Sequence, residues 1–288
     1  MSRRPYADPW IALLLLMVGG SLLAGLTFML GYSVGLIGML ADGFTLRHWT
    51  VALRDTQTWV TLAYSAWIAG ASLGSSLLLA LALQALLGAR LTRGALHSLL
   101  FVPLAVPPIV AALVSTEVLG NSGLIARVAR ALGWLVRPEE FPTLLFTRSG
   151  LAIVLTHLTL VTPFLVLLLN RLAGNERIAA YAEVARDLGA SRWEVWSRVT
   201  LPMQMRAAAP ALTVYFLALM GAFEVPLIVG AQSPSMVTVL IERRLSQFDL
   251  GTRPEAYVLA LLYGAMATGL LLAFFKARHR RQRLEVGS

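Results

Sequence analysis

The segment EVARDLGASRWEVWSRVTLP, residues 183–202, is a polar stretch inside a largely apolar chain. Six of its twenty residues are charged, whereas 14% of the whole chain is charged and 57% is hydrophobic. Charged side chains are costly inside a bilayer, so a segment of this composition lies outside the hydrocarbon. The sequence on both sides of it is apolar, and the fold depends on how often that sequence crosses a membrane.

Apolar runs of about 20 residues, the length that an α-helix needs to cross a hydrocarbon core of about 30 Å, flank this segment on both sides. A soluble domain is about one quarter charged, well above the 14% of this chain. We therefore predict an all-α polytopic membrane protein with six transmembrane helices in a single domain, residues 1–288. The spans are predicted at about residues 10–30, 59–87, 98–119, 151–169, 207–230 and 256–275.

Basic residues are unevenly distributed between the loops that join these spans. With the N-terminus inside, 15 of the 24 Lys and Arg residues flank inner span ends, and they are dense in the loop 173–205 and the tail 276–288. Because positively charged loops stay in the cytoplasm, both termini and this loop are predicted to be cytoplasmic. Topology and anionic lipid head groups then account for the formal net charge of +9, and no compact basic domain is left to bind nucleic acid.

The N-terminus also has features of a signal peptide, because Arg3 and Arg4 precede the first apolar run. The apolar core of a signal peptide has about 7–15 residues. The run in this chain is longer, which favours a retained first span.

The sequence has no pattern typical of catalysis or metal binding. Its one lysine, Lys276, is followed by Ala277, whereas a phosphate-binding loop needs Gly-Lys-Ser/Thr. The chain has no cysteine and no His-Glu-x-x-His pair. The letters Gly-x-Ser-x-Gly occur at residues 70–74, but they lie inside a predicted span and not at the strand-to-helix turn that a nucleophile elbow requires. We therefore expect that this chain has no catalytic residue, no metal site and no bound cofactor.

The polar segment and its upstream flank are predicted to form two helices joined by a turn. Apolar residues three or four apart predict an amphipathic helix over 178–188, with Ile178, Ala182, Ala185 and Leu188 on one face. Gly189 permits a turn. Ser191 and Glu194 have the spacing of a capping box, which predicts a second short helix that ends at Leu201-Pro202.

This pattern resembles the EAA loop of the membrane subunits of bacterial ABC importers, which reads Glu-Ala-Ala, three residues, Gly, nine residues, Ile, one residue, Leu-Pro. Most of the defining positions match, and Val184 and Val199 stand where the family has Ala and Ile. The segments FVPLAVPPIV (101–110), NSGLIARVARALGWL (121–135) and GAFEVPLIVG (221–230) are similar to counterparts in the branch that serves polyamines, ferric iron, thiamine and phosphonates.

The resemblance implies the permease subunit of a type I importer in the bacterial inner membrane, a chain that does no chemistry itself. Its partners would be a second permease subunit, identical or related, two ATPase subunits that use ATP and Mg²⁺, and an external solute-binding protein. The loop would form a coupling helix that docks on the ATPase, through Glu183, Ala185, Arg186, Asp187, Gly189, Arg192, Val199, Leu201 and Pro202. Trp193 and Trp196 would either anchor the loop at the membrane surface or contact the ATPase.

Acidic and polar groups inside the spans are candidates for the translocation pathway, because burying them in lipid is costly. Glu224 is preferred over Glu117, since the fifth span lines the pathway in the family. Glu224 would meet a cationic solute or pair with an arginine of a neighbouring helix. The fourth span has a polar side made by Thr156, His157 and Asn170, which would face the pathway or the second permease, and for His157 an interhelical hydrogen bond is the alternative.

The outer segment 122–134 has the pattern of an amphipathic surface helix, either a landing platform for the binding protein or an interfacial anchor. We predict ATP-driven import of a small solute, with a polyamine, a phosphonate, iron or a similar small ion as cargo. A sugar-specific importer permease would have the same architecture. An ATP-independent carrier would also be helical, but such carriers usually have inverted repeats and need no cytoplasmic elbow.

Overall fold

The computed structural model describes residues 9–41, 43–135, 137 and 140–286, and all the regular secondary structure in this part of the chain is helical. Arg3, Arg4 and the last two residues of the predicted tail lie outside the described residues. The helices are α1 (Pro9–Ser33), α2 (Arg47–Arg54), α3 (Thr56–Leu87), α4 (Ala95–Leu99), α5 (Phe101–Leu104), α6 (Pro108–Leu119), α7 (Leu124–Ala131), α8 (Leu151–Ala173), α9 (Glu176–Asp187), α10 (Arg192–Glu194), α11 (Leu201–Met220), α12 (Glu224–Val229), α13 (Val237–Ser246) and α14 (Arg253–Val286).

Within the described residues, five helical segments are long and apolar enough to cross a membrane: Leu13–Ser33, Thr56–Leu87, Pro108–Ala131, Leu151–Ala173 and Leu250–Arg280. They confirm the all-α polytopic fold. The first, second, fourth and sixth predicted spans lie in the continuous helices α1, α3, α8 and α14. The last of these extends past the predicted span into the basic tail, as far as Val286.

The third and fifth predicted spans are interrupted helices. In the third, α5 ends at Leu104 and α6 begins at Pro108, with Pro107 in an extended conformation as the N-cap. The two prolines offer no backbone N–H and disfavour helical geometry in the residue before them. In the fifth, α11 ends at Met220 and α12 begins at Glu224, so that neither piece alone has the length and apolarity of the five segments above.

The described residues form two compact units, one drawn from 9–59 and 240–268 and the other from 60–239 and 269–286. In the first unit, the buried guanidinium of Arg244 lies 2.7 Å from the carboxylate of Asp55 and 3.5 Å from that of Glu255. The rings of Tyr32 and Tyr257 pack 4.7 Å apart in the same unit. One membrane domain over residues 1–288 stays a prediction.

The core of the second unit is built where α3, α6, α8 and α12 meet, and Ile68, Ala112, Ile153 and Val229 are almost fully buried there. Gly150, the N-cap of α8, has a φ of +70°. A Cβ at that position would come within 2.2 Å of the Ile68 side chain, so the close approach of α8 to α3 requires glycine. The two regions of the second unit that concern function lie at α9 and at the helix breaks.

Candidate functional site

The polar segment forms an elbow, which we define as residues 176–202. The side chain of Asn175 accepts a hydrogen bond of 3.1 Å from the backbone N–H of Arg177 and starts α9. The helix ends before Gly189, which has a φ of +87° and open space around its Cα. An L-residue rarely adopts this conformation, so the predicted turn at this glycine is confirmed.

The predicted capping box at the start of the second helix is also confirmed. The backbone N–H of Glu194 donates to the Ser191 hydroxyl over 3.3 Å, and the Glu194 carboxylate accepts from the Ser191 backbone N–H over 3.0 Å. The Ser191 hydroxyl also donates to this carboxylate, over 2.8 Å. The bonds that the carboxylate accepts from the Ser191 backbone N–H, first, and then from the Ser191 hydroxyl lower the pKa of Glu194. The charged form is favoured because it accepts both bonds.

The prediction that the second helix ends at Leu201-Pro202 is wrong. Helical structure is continuous from Arg192 to Met220, and the turn Val195–Thr200 is a wider π-helical one. Pro202 follows this π-turn after Leu201, so it lies inside a continuous helix, where its missing N–H removes one backbone hydrogen bond. A π-turn directly before a proline changes the spacing of the carbonyls that the ring must avoid. The elbow therefore leads directly into the fifth predicted span.

One face of α9 differs from the prediction. Ile178 and Ala182 are buried as expected, but the Leu188 side chain is 83% exposed. With Tyr181 and Val184, which are also exposed, it forms a strip at spacings of three and four residues, which we call the apolar strip of α9. The exposed charged residues Glu183, Arg186, Asp187 and Arg192 lie around it. The pattern 181, 184, 188 is visible in the sequence, but only the packing identifies which face of α9 stays uncovered.

The remaining motif residues contribute less exposed surface. Ala185, Val199 and Leu201 are half-buried, and Pro202 is exposed at the start of α11. The side chains of Trp193 and Trp196 stack with their ring centroids 5.0 Å apart. Trp193 is 65% exposed, whereas Trp196 turns inward.

A cavity of about 1110 Å³, here called the inner cavity, lies between α9 and the ends of α3 and α8. The motif residues Glu183, Arg186 and Arg192 line it. Gln84 and Asn170 also line it, and the Gln84 Nε2 donates to the Asn170 Oδ1 over 3.4 Å. Asn170, predicted in the translocation pathway, therefore lies beside the elbow.

A second cavity of about 440 Å³, here called the break cavity, lies where the two interrupted helices meet. It is bordered by Pro103–Pro108 on one side and Gly221–Val225 on the other. Glu224 and His157, both predicted pathway residues, line it together. The His157 Nδ1 is also 3.1 Å from the Ser72 hydroxyl, so this side chain makes the interhelical contact that was its alternative role.

The other predicted pathway residues lie elsewhere. The Thr156 hydroxyl is 2.8 Å from the Ser115 hydroxyl, which joins α8 to α6. Glu117 is exposed on α6 and lines neither of these cavities. Sequence reasoning missed Tyr215, which lines the break cavity and stacks on Phe164 with ring centroids 4.8 Å apart. An isolated tyrosine in an apolar run gives no signal of its position.

The described residues contain no group of three or more acidic or histidine side chains that could hold a metal ion. The polar groups of the two cavities are spread over several elements. Their donors and acceptors come from several different helices.

Comparisons with known proteins match this architecture. A family profile described as "Binding-protein-dependent transport system inner membrane component" matches residues 76–284. The molybdenum transport system permease protein ModB of Mycobacterium tuberculosis is 31% identical over 188 residues, 64% of this chain and 64% of ModB. The thiamine transport system permease protein ThiP of Brucella suis is 27% identical over 259 residues, 88% of this chain and 45% of ThiP. The chain thus spans about half to two thirds of the length of these relatives.

The fold is similar to that of a chain in the crystal structure of a bacterial alginate ABC transporter in complex with an alginate pentasaccharide-bound periplasmic protein. The TM-score is 0.66, with 19% sequence identity, over 95% of this chain and 93% of that chain. At this identity the likeness concerns the fold alone.

Proposed function

Since the chain belongs to the family of inner membrane components of binding-protein-dependent transport systems, we propose that it is the permease subunit of an ATP-driven ABC importer. The observation that carries this proposal is the exposed elbow, whose apolar strip and charged residues have no covering partner among the described residues. The permease itself is not an enzyme, and ATP and Mg²⁺ are used by separate ATPase subunits.

The elbow is the proposed contact with the ATPase. An exposed leucine, valine and tyrosine at helical spacing are typical of a helix that lays an apolar face into a groove. Glu183, Asp187 and Arg192 would set the orientation through charge, which affects specificity and association rate more than affinity. Gly189 would let the elbow turn closely against the partner. Trp193 is exposed enough to reach either the ATPase or the lipid surface.

Coupling follows from the continuity of the second helix. The segment from Arg192 to Met220 links the elbow directly to the break at Gly221, which borders the break cavity. A displacement of the elbow by the closing ATPases would therefore reach the pathway through a single helix. Such a device needs two membrane states whose balance nucleotide binding shifts.

The break cavity is the proposed part of the pathway in this chain. Glu224 is exposed there and has no ion pair among the described residues. The cavity also has the aromatic side chains of Tyr215 and Phe223, and no lysine or arginine among its lining residues. A carboxylate beside aromatic rings is suited to a small cation. This favours the cationic members of the predicted cargo classes over an oxyanion or a neutral sugar.

The complete importer would contain a second permease, two ATPase subunits and an external binding protein, in a bacterial inner membrane. The predicted outer helix α7 is relevant to the partners of the importer. Its small residues Ala126 and Ala129 are buried, and its large apolar residues Leu124, Ile125 and Val128 are exposed. This arrangement supports either an interfacial anchor or a platform for the binding protein.

An affinity pull-down from native membranes tests the proposal, with co-purifying chains identified by mass spectrometry. Gly189→Asp is compared with Gly133→Asp, because both glycines have a positive φ (+87° and +74°) and open space around them. Each also follows a helix that ends with the same pair of backbone hydrogen bonds, so the two variants carry similar backbone strain. We expect an ATPase subunit to be recovered with wild type and Gly133→Asp and lost with Gly189→Asp. A stable complex without an ATPase in any sample would favour an ATP-independent carrier.

A further inference from the structure

The inner cavity contains buried polar groups that lack partners. The Gln84 side chain is buried, at 8% exposure, and its Oε1 has no hydrogen-bond partner in the described part of the chain. The Asn170 Nδ2 and the Trp196 Nε1 are also enclosed and have no hydrogen-bond partner among the described residues, although each residue as a whole is half-buried. These atoms belong to α3, α8 and the π-turn, and their side chains line one cavity. Buried polar groups are normally satisfied, so a polar occupant is expected.

The charged residues around the cavity indicate the sign of the charge that this occupant carries. Arg186 and Arg192 line it, and neither lies within ion-pairing distance of a carboxylate among the described residues. Glu183 is the one acidic residue of the lining. With the Asn170 amide and the Trp196 indole, hydrogen-bond donors predominate, as in sites for oxygen-rich anions. The favoured occupant therefore presents acceptor oxygens and negative charge.

The position of the cavity indicates where such an anion would come from. It lies at the end of two spans on the predicted cytoplasmic side, where anionic lipid head groups concentrate and basic pockets between helices bind them. The exposed Trp193, stacked on Trp196, has the amphipathic character of side chains found at head-group depth. The volume of about 1110 Å³ is slightly above the roughly 300–1,000 Å³ typical of ligand pockets.

We propose that the inner cavity binds the phosphate head group of an anionic phospholipid from the cytoplasmic leaflet. The phosphate oxygens accept hydrogen bonds from Asn170 and Trp196 and face Arg186 and Arg192. The Gln84 Oε1 accepts from a hydroxyl of the head group. Because the lining comes from α9 as well as from α3 and α8, the bound head group ties the elbow to the ends of the spans. The apolar strip of α9 does not line this cavity, whereas Glu183, Arg186 and Arg192 belong both to its lining and to the predicted ATPase contact.

The test uses the purified full chain in neutral detergent and follows thermal unfolding as ligand is added. The probes are short-chain phosphatidylglycerol, short-chain phosphatidylcholine and inorganic phosphate. We expect phosphatidylglycerol to raise the Tm by about 3–5 °C, because a ligand that binds only the folded state stabilises it, and phosphatidylcholine to have a much smaller effect. Trp196→Phe, which keeps the ring and removes the N–H, should weaken the apparent affinity about tenfold.

The matched control is Trp67→Phe, since Trp67 is exposed on α3 and lines none of the cavities described. Its response to phosphatidylglycerol should equal that of wild type. An equal shift with inorganic phosphate would support the anion site and assign it to a soluble anion. Equal shifts with both lipids, or an undiminished response in Trp196→Phe, would overturn the proposal.

Native mass spectrometry of the wild type gives a second readout that does not depend on the stability of a variant. A one-to-one adduct with phosphatidylglycerol, retained after the micelle is removed and absent with phosphatidylcholine, is expected. Adducts that do not discriminate between the two lipids would contradict the site. Neither measurement involves transport or ATP, so a negative result here leaves the importer proposal intact.

Discussion

Arg244 and Asp55 form an ion pair, with 2.7 Å between the guanidinium nitrogen and the carboxylate oxygen. The pair connects α13, which contains Arg244, to Asp55, the residue just before α3. Glu255, near the start of α14, lies 3.5 Å from the other guanidinium nitrogen. The arginine is nearly buried, and both acids are largely covered. Removing one partner of such a group leaves a charge with no compensation in a poorly solvated place.

Arg244→Met should therefore destabilise the protein by about 3 kcal/mol, the lower end of the range for a broken buried pair, since the acids keep some contact with water. Thermal unfolding in detergent measures the effect. Arg54→Ala is the control, because Arg54 is exposed and its loss should cost less than about 1 kcal/mol. Equal losses in the two variants would mean that the pair contributes nothing specific.

Gly150→Ala should destabilise the second unit by at least about 2 kcal/mol, from overpacking and from the left-handed backbone. The added carbon would meet the Ile68 side chain at 2.2 Å and the Tyr64 hydroxyl at 2.7 Å. Gly264→Ala has open space inside α14 and should be neutral or slightly stabilising. The comparison of the two melting temperatures checks the close packing of α8 on α3.

Leu188→Ala should weaken the binding of the ATPase subunits about tenfold or more, because a leucine side chain buried at an interface contributes about 2 kcal/mol. Leu86→Ala is a close control, since the two leucines are 83% and 82% exposed. The measurement is ATPase affinity for the reconstituted permease. If both variants bind like wild type, the apolar strip of α9 is not the docking face.

Glu224→Gln should raise the KM for uptake of a cationic solute about tenfold, the loss expected for one charge-assisted contact. Folding should be unaffected, because the side chain is exposed. Glu117→Gln removes the same charge from another exposed acid and should leave KM unchanged. Unaltered concentration dependence in Glu224→Gln would assign that residue a structural role.

The capping box should respond to acid. Since its hydrogen bonds lower the pKa of Glu194 in the folded state, their stabilising effect is present above the ordinary carboxyl pKa and is lost as pH falls through the lowered one. Hydrogen-exchange protection of the backbone around 191–196 should therefore decrease as pH falls below about 4. Ser191→Ala should have low protection at every pH. A wild type whose protection is independent of pH would contradict this account.

Local chemistry was predictable from the sequence, and long-range contacts were not. The turn at Gly189 and the Ser191–Glu194 box follow from neighbouring residues alone. The periodicity of α9 predicted a helix, but the exposure of Leu188 depends on which elements pack against it. The end assigned at Pro202 was wrong because the wider π-turn just before it carries the helix past the proline.

The two cavities show the same limit at the level of the site. Glu224 and His157 share the break cavity, and Asn170 pairs with Gln84 in the inner one. Glu224, His157 and Asn170 were each identifiable as polar residues in an apolar span, whereas Gln84 was not singled out. These residues come together because the helix breaks and helix crossings bring distant parts of the chain next to each other. No single segment of the sequence encodes that arrangement.

The unbroken helix from Arg192 to Met220 has the proportions of a lever arm. At about 1.5 Å of rise per residue it is roughly 43 Å long. With the π-turn at Val195–Thr200 as the pivot, the moving part is Leu201–Met220, 20 residues or roughly 30 Å. A tilt of about 8° would move its far end by about 4 Å, close to the diameter of a small solute. A rigid-body movement of this size needs no unfolding of the helix.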